Sequence, residues 1–189
     1  DHRDLHSFPT RRSSDLSHKN LYAMNNNGAR NIALKHGKEI AKWVLPWDGN
    51  CFLTLGAWHE ISSAIKKMGW LKYFIVPMAR IFDNAILLQG SHRPDAREEP
   101  QIIFRKDTKE IFDESFPYGR IPKLEFLKRI RGYGPRDNTV LPVYPWEKRI
   151  AISSPERYQC AHCGWVARLN SGNRSEEHKS ELQSRQSIS

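Results

Sequence analysis

The stretch of this chain that can fold is bounded by its two ends. Residues 4–16 read DLHSFPTRRSSDL and residues 174–184 read RSEEHKSELQS. Each string is the frame translation of a sequencing-library adapter, the second with Lys179 where the adapter encodes threonine, a one-base difference. Segments of this origin are set aside before a fold is read. Residues 1–16 and 174–189 are therefore expected to be non-native, disordered termini. Residues 17–173 are expected to hold a single domain, long enough for a real core. The reading frame is expected to lack its true start and end, so that the middle is a fragment.

The net charge of +9 belongs to that middle. Arg3, Arg11 and Arg12 cancel Asp1, Asp4 and Asp15, and Arg174, Lys179 and Arg185 cancel Glu176, Glu177 and Glu181. A basic domain favours anionic partners such as nucleotide diphosphates, acidic polymers, nucleic acid or a lipid surface, and charge alone does not choose among them. The most apolar run, Trp70 to Phe82, is broken by Lys72, Pro77 and Arg80 and is too short to span a bilayer. Cys51, Cys160 and Cys163 make an odd set without regular spacing. That argues against a disulfide framework and towards a reducing, cytoplasmic compartment, with association at a membrane left open. Cys160-Ala161-His162-Cys163 supplies one pair of thiols where a closed zinc site needs four ligands.

Periodicity sets the element order. Asn25 to Ala41 carries Ala29, Ile32, Ala33, Ile40 and Ala41 at helical spacing after Asn-rich capping chemistry. Trp43 to Pro46 fits a short buried strand, broken by Trp47 to Asn50. Leu55 to Met68 predicts a helix with Trp58, Ile61, Ile65 and Met68 on its core face and Gly69 as its stop. Tyr73 to Val76 and Gln101 to Phe104 predict strands, and Lys123 to Arg131 predicts a helix with Leu124, Leu127 and Ile130 on one stripe. From Gly132 to Pro155 the chain reads as Pro- and Gly-rich loop. Alternation of this kind predicts α/β layers around a mostly parallel sheet, with ligands at the carboxyl ends of the strands. The loop at Trp47–Asn50 is such a place.

Three segments then take on meaning through their order. Gly28-Ala29-Arg30-Asn31 opens a helix, Trp43 to Asn50 ends a strand in Asp48-Gly49-Asn50, and Ile102 to Asp107 is followed by Phe112-Asp113-Glu114. Together, over roughly Asn25 to Arg131, they resemble family-2 glycosyltransferases with the nucleotide-sugar-binding GT-A fold. The resemblance implies an incomplete Rossmann-like GT-A sheet with helices on both faces. It implies sugar transfer from a nucleotide-sugar donor to an unidentified acceptor, assisted by Mn2+ or Mg2+. Arg30, Asn31 and Asp48 would lie at the donor, and Asp48 and Asn50 would hold the metal. Hard cations take oxygen ligands, and one bridging two phosphates offsets the charge that builds on the leaving diphosphate. The chain departs from the pattern at Asn50, where the second acid of the strand-tip motif stands, and at Lys123, near the place of the acidic general base. Asp113, Glu114 and Glu125 are the replacement candidates for that base, and the fragment alone is expected to be inactive.

Plainer readings stand beside these. Asp48-Gly49-Asn50 suits a turn, Arg30 a solvated helix face, and Asp113-Glu114 a turn or helix start. Trp43 and Trp47 suit core packing as well as stacking on a sugar or base. A non-catalytic glycosyltransferase-like domain of a larger polysaccharide-processing protein is one alternative function. A basic module binding an acidic polymer or nucleic acid is another, although no nucleic-acid motif is present and no nucleic-acid partner is expected.

Overall fold

The computed structural model describes residues 25–90, 92–115, 122–132 and 154–170. The adapter-like ends, the domain limits drawn beside them and nearly all of the Pro/Gly-rich stretch lie outside the described residues. Helix α1 spans Asn26–Ile40, strand β1 Trp43–Val44, β2 Cys51–Phe52, helix α2 Leu55–Lys67 and β3 Tyr73–Arg80. A 3-10 turn, Asn84–Leu88, precedes β4 at Glu98–Arg105; α3 at Pro122–Ile130, β5 at Cys160–His162 and β6 at Val166–Arg168 complete the described elements.

Both long helices start on side-chain caps. The Asn25 side chain accepts from the Gly28 amide at 2.8 Å, and the Thr54 hydroxyl accepts from the Ala57 amide at 3.2 Å. The face that α1 buries differs from expectation. Ala29, Ile32, Ala33, Ile40 and Ala41 are all exposed, and Asn27, Gly28, Asn31 and Leu34 turn inward. The cause is polar. Asn31 donates to the Phe112 carbonyl at 2.9 Å and accepts from its amide at 3.0 Å, and Asn27 donates to the Asp113 carbonyl at 2.7 Å. Hydrogen-bond demand from segment 112–114 thus orients the helix against its apolar spacing. In α2, Ile61 is buried and Ile65 and Met68 pack on the core, whereas Trp58 is exposed, so the expected stripe holds for three of its four residues.

The strands form one mixed, curled sheet in the order β1-β4-β3-β6-β2, with β5 also pairing β3. The sheet is not mostly parallel. β4 runs antiparallel to both β1 and β3, and β2 runs antiparallel to β6; β3 is parallel to β5 and to β6. The connection from β3 to β4 holds only a 3-10 turn, so no helix lies over a face to return the chain in the parallel sense. β5 and β6 lie end to end along one edge of β3, against Tyr73–Ile75 and Met78–Arg80. Pro77, which has no amide to donate, sits at the junction, where the register with β4 also shifts.

Alternation along the two long strands divides the core. Tyr73, Ile75, Ile102 and Phe104 pack with Leu34 of α1, Phe112, and Phe126, Leu127 and Ile130 of α3. Phe74, Val76 and Ile103 pack with Ile61 of α2 and Val166, with Leu45, Trp47 and Cys51 alongside. Helices therefore cover both faces, and residues 45–50 bridge the two edge strands over the α2 face. Trp43 and Trp47 are packing residues here: Trp43 meets Phe74 edge-on at 5.3 Å, and the Trp47 indole donates to the Ile102 carbonyl at 3.0 Å.

Gly164 joins β5 to β6 with φ of +51°. A Cβ there would sit 2.6 Å from Ile61 Cγ1 and 3.3 Å from the Ala57 carbonyl oxygen. Gly164→Ala should destabilise the fold by about 1–3 kcal/mol through left-handed backbone strain and overpacking, read as a lower denaturant midpoint at unchanged slope.

Candidate functional site

Asp48 is the centre of a charge cluster assembled from four parts of the chain. It follows β1, in the bridge between the sheet edges. Its Oδ1 accepts from Arg30 Nη2 of α1 at 2.6 Å. Its Oδ2 accepts from Lys123 Nζ of α3 at 2.7 Å and from Gln101 Nε2 of β4 at 3.0 Å. Lys123 and Gln101 are almost wholly buried, whereas the Asp48 side chain is 35% exposed and is the part of the cluster open to solvent. Burial pushes the Asp48 carboxyl up, but the Lys123 ammonium and the Arg30 guanidinium together outweigh it and hold the group well below the usual carboxylate range.

The surroundings keep these groups in place. Arg30 also donates to Asn27 Oδ1 at 3.0 Å, and its guanidinium stands 5.7 Å from the centre of the Phe112 ring. Glu99 Oε1 accepts from the Lys123 backbone amide at 3.0 Å, and Glu99 Oε2 lies 3.9 Å from Nζ. Burial pushes the Glu99 carboxyl up, against the pull of Lys123. Two polar atoms on the side chains that grip Asp48 are buried without a hydrogen-bond partner, Arg30 Nε and Gln101 Oε1. Such orphans are uncommon in folded proteins and each one needs a reason.

Of the residues singled out from sequence, Arg30 and Asp48 meet directly. Asn31, on the same helix as Arg30, bonds instead to segment 112–114 and donates to Glu114 Oε1 at 2.9 Å. Asp113 accepts from the amide and hydroxyl of Ser115, at 2.9 and 2.6 Å, as a turn former does. Glu125 belongs to a separate network. It accepts from Arg129 at 2.6 and 3.2 Å; burial pushes its carboxyl up and Arg129 opposes that. Asn50 is exposed, and its backbone carbonyl accepts from Leu169 at 2.9 Å. Gln101, Glu99 and Asn27 carry no signal in the sequence that sets them apart. Lys123 stands out there only as a departure from an acidic position, and its charge is the signal that marks it as a partner for Asp48.

Both oxygens of Asp48 are taken by cationic donors, Asn50 offers at most an exposed amide, and among the described residues no group of three or more His, Cys, Asp or Glu side chains is placed to hold a metal ion. The arrangement does not fit a Mn2+ or Mg2+ site at Asp48 and Asn50. The cysteines do not compose one either. Cys160 packs against the α1/α3 face, whereas Cys163 packs against the α2 face, where burial pushes its thiol up to about 12.

A second buried cluster lies at the start of β3. Glu156 accepts from Lys72 Nζ at 2.6 Å, from the Tyr73 hydroxyl and from the Lys109 amide at 3.1 Å. The Ser154 hydroxyl donates to Glu110 at 2.5 Å, and Glu110 pairs with Arg129 at 2.5 Å. These contacts tie segments 107–111 and 154–159 to the sheet and to α3. Segment 112–114, which orients α1, continues directly from the first of them. Among the described residues no helix is long and apolar enough to cross a membrane. No family model, curated protein or solved structure compared with the chain matches it.

Proposed function

We propose that the chain is part of a glycosyltransferase that takes its sugar from a nucleotide-sugar donor, with the diphosphate bound beside Asp48. One observation carries this reading. Arg30, Asp48 and Lys123, from segments that the GT-A resemblance orders along the chain, converge within hydrogen-bonding distance at the end of a strand. Two cations stand around Asp48, with Glu99 as a second carboxylate beside Lys123. A guanidinium in such a place can meet an anionic donor group and offset charge that develops on a leaving diphosphate. Asn27, Asn31 and segment 112–114 fix the rim of the same region through direct hydrogen bonds.

The test is donor-dependent release of nucleoside diphosphate by the complete protein of which the chain is part, over a panel of nucleotide sugars. Release that disappears in Asp48→Ala, in protein shown to remain folded, is the expected result. A complete protein that neither binds nor turns over any nucleotide sugar rules the reading out. A second reading, a non-catalytic domain that binds donor without transfer, is favoured by the state of the acids. Glu125 is held by Arg129, Glu114 is engaged by Asn31, and position 123 is a lysine bound to Asp48. Saturable donor binding with no release of diphosphate marks that alternative.

A further inference from the structure

The lysine at position 123 does more than vacate the place of an acid. Its ammonium lies 2.7 Å from Asp48 Oδ2, and its side chain is 2% exposed. Arg30 closes the other oxygen at 2.6 Å and Gln101 adds a third donor at 3.0 Å. With both oxygens engaged by cations, a metal ion would have to displace one of them to bind this carboxylate. The guanidinium and ammonium face two carboxylates, Asp48 and Glu99, the second 3.9 Å from the ammonium, so the positive charge a metal would supply is already present beside Asp48. The orphaned Arg30 Nε and Gln101 Oε1 show a second, independent feature: the cluster holds more donor and acceptor capacity than the protein consumes.

Resting on the donor-binding reading above, we propose that Lys123 replaces the divalent cation at Asp48, so that the site takes a nucleoside diphosphate without metal. The ammonium works through Asp48 and the local field. It is a positioning residue, buried behind the carboxylate, and Arg30 is the cation nearer the anion. Lys123 is fixed on both sides, since its own amide is held by Glu99 while its side chain is held by Asp48. A bound metal would have to expel that ammonium from Asp48, and among the described residues Glu99, 3.9 Å away, is the other carboxylate it pairs with.

The test titrates UDP and GDP calorimetrically into the purified full chain, first in EDTA and then with excess Mn2+. A dissociation constant that agrees between the two conditions within about twofold is expected. The electron paramagnetic resonance signal of free Mn2+ should also be undiminished by the protein without nucleotide. Lys123→Asp, which returns a carboxylate to the place of the ammonium, should bind Mn2+ and make nucleotide affinity depend on it by about tenfold or more. The wild-type measurements decide the matter even where that variant fails to fold. Nucleotide binding that requires Mn2+ in the wild-type chain overturns the metal-free site and leaves the transferase reading standing. No diphosphate binding under either condition overturns the donor reading and the metal-free site with it.

Discussion

Glu156→Ala should cost the fold about 3–5 kcal/mol, the range for removing one partner of a buried ion pair. Glu156 is 4% exposed and gathers the Lys72 ammonium, the Tyr73 hydroxyl and the Lys109 amide at one carboxylate. Alanine leaves the Tyr73 hydroxyl in a fully buried ring without its acceptor and removes the anchor of segments 107–111 and 154–159. The pH dependence carries the same signature. Burial pushes the Glu156 carboxyl up, but the hydrogen bonds from Lys72, Tyr73 and Lys109 outweigh it and hold the group below its ordinary 4.5. Its stabilisation is therefore present above pH 4.5 and lost as pH falls through the folded-state value. Tyr73 moves the other way. Burial and the bond to Glu156 push its hydroxyl above the ordinary 10.0, so its contribution is present below pH 10.0 and lost as pH rises beyond it. Glu99 and Glu125, both pushed up, contribute an opposite slope in acid, but both remain in the variant. Subtracting variant from wild-type stability across pH should isolate a plateau that falls at both ends. A flat difference curve would show that the cluster holds no coupled protons.

What could be read from the residues was the long elements. Periodicity placed α1, α2, α3, β3 and β4 because each is long enough to show a face, and the two central strands carry apolar residues on both sides. β2, β5 and β6 are two or three residues long and offer no alternation to recognise. Their place is dictated by partners far away in sequence: Cys51 pairs with Arg168 and Tyr73 with Cys160. Sheet direction was misjudged for a related reason. Helices do alternate with strands, but none bridges β3 and β4, and the antiparallel pairing of those strands decides the sheet. The face of α1 departs from its apolar spacing because Asn27 and Asn31 take backbone partners in segment 112–114. In the candidate site, Arg30 and Asp48 were legible from a turn after a strand and a basic residue near a helix start. Gln101 was hidden inside an apolar strand pattern, and Lys123 by the expectation of an acid in its place.

The pairing of Asp48 with Lys123 makes a strong prediction about stability that is separate from any ligand. Asp48→Asn leaves a buried ammonium facing a neutral amide, with Glu99 Oε2 at 3.9 Å as its nearest remaining carboxylate. The loss should be about 3 kcal/mol, at the low end for breaking a buried pair because the Asp48 side chain is 35% exposed. Lys123→Met should cost less, about 1–2 kcal/mol, since Asp48 keeps Arg30 and access to water while methionine fills the vacated space. In the double variant the buried ammonium is removed together with its partner, and the total cost should not exceed that of Asp48→Asn alone, a coupling of about 1–2 kcal/mol. The carboxylate is held below its ordinary value, so its share of this stability is present above pH 3.8 and lost as pH falls through the folded-state value. The cycle should therefore shrink at strongly acid pH. Denaturant titrations of the four proteins at neutral pH provide the measurement. If the two single costs simply add, the ammonium does not balance this carboxylate and does not keep a metal ion from it.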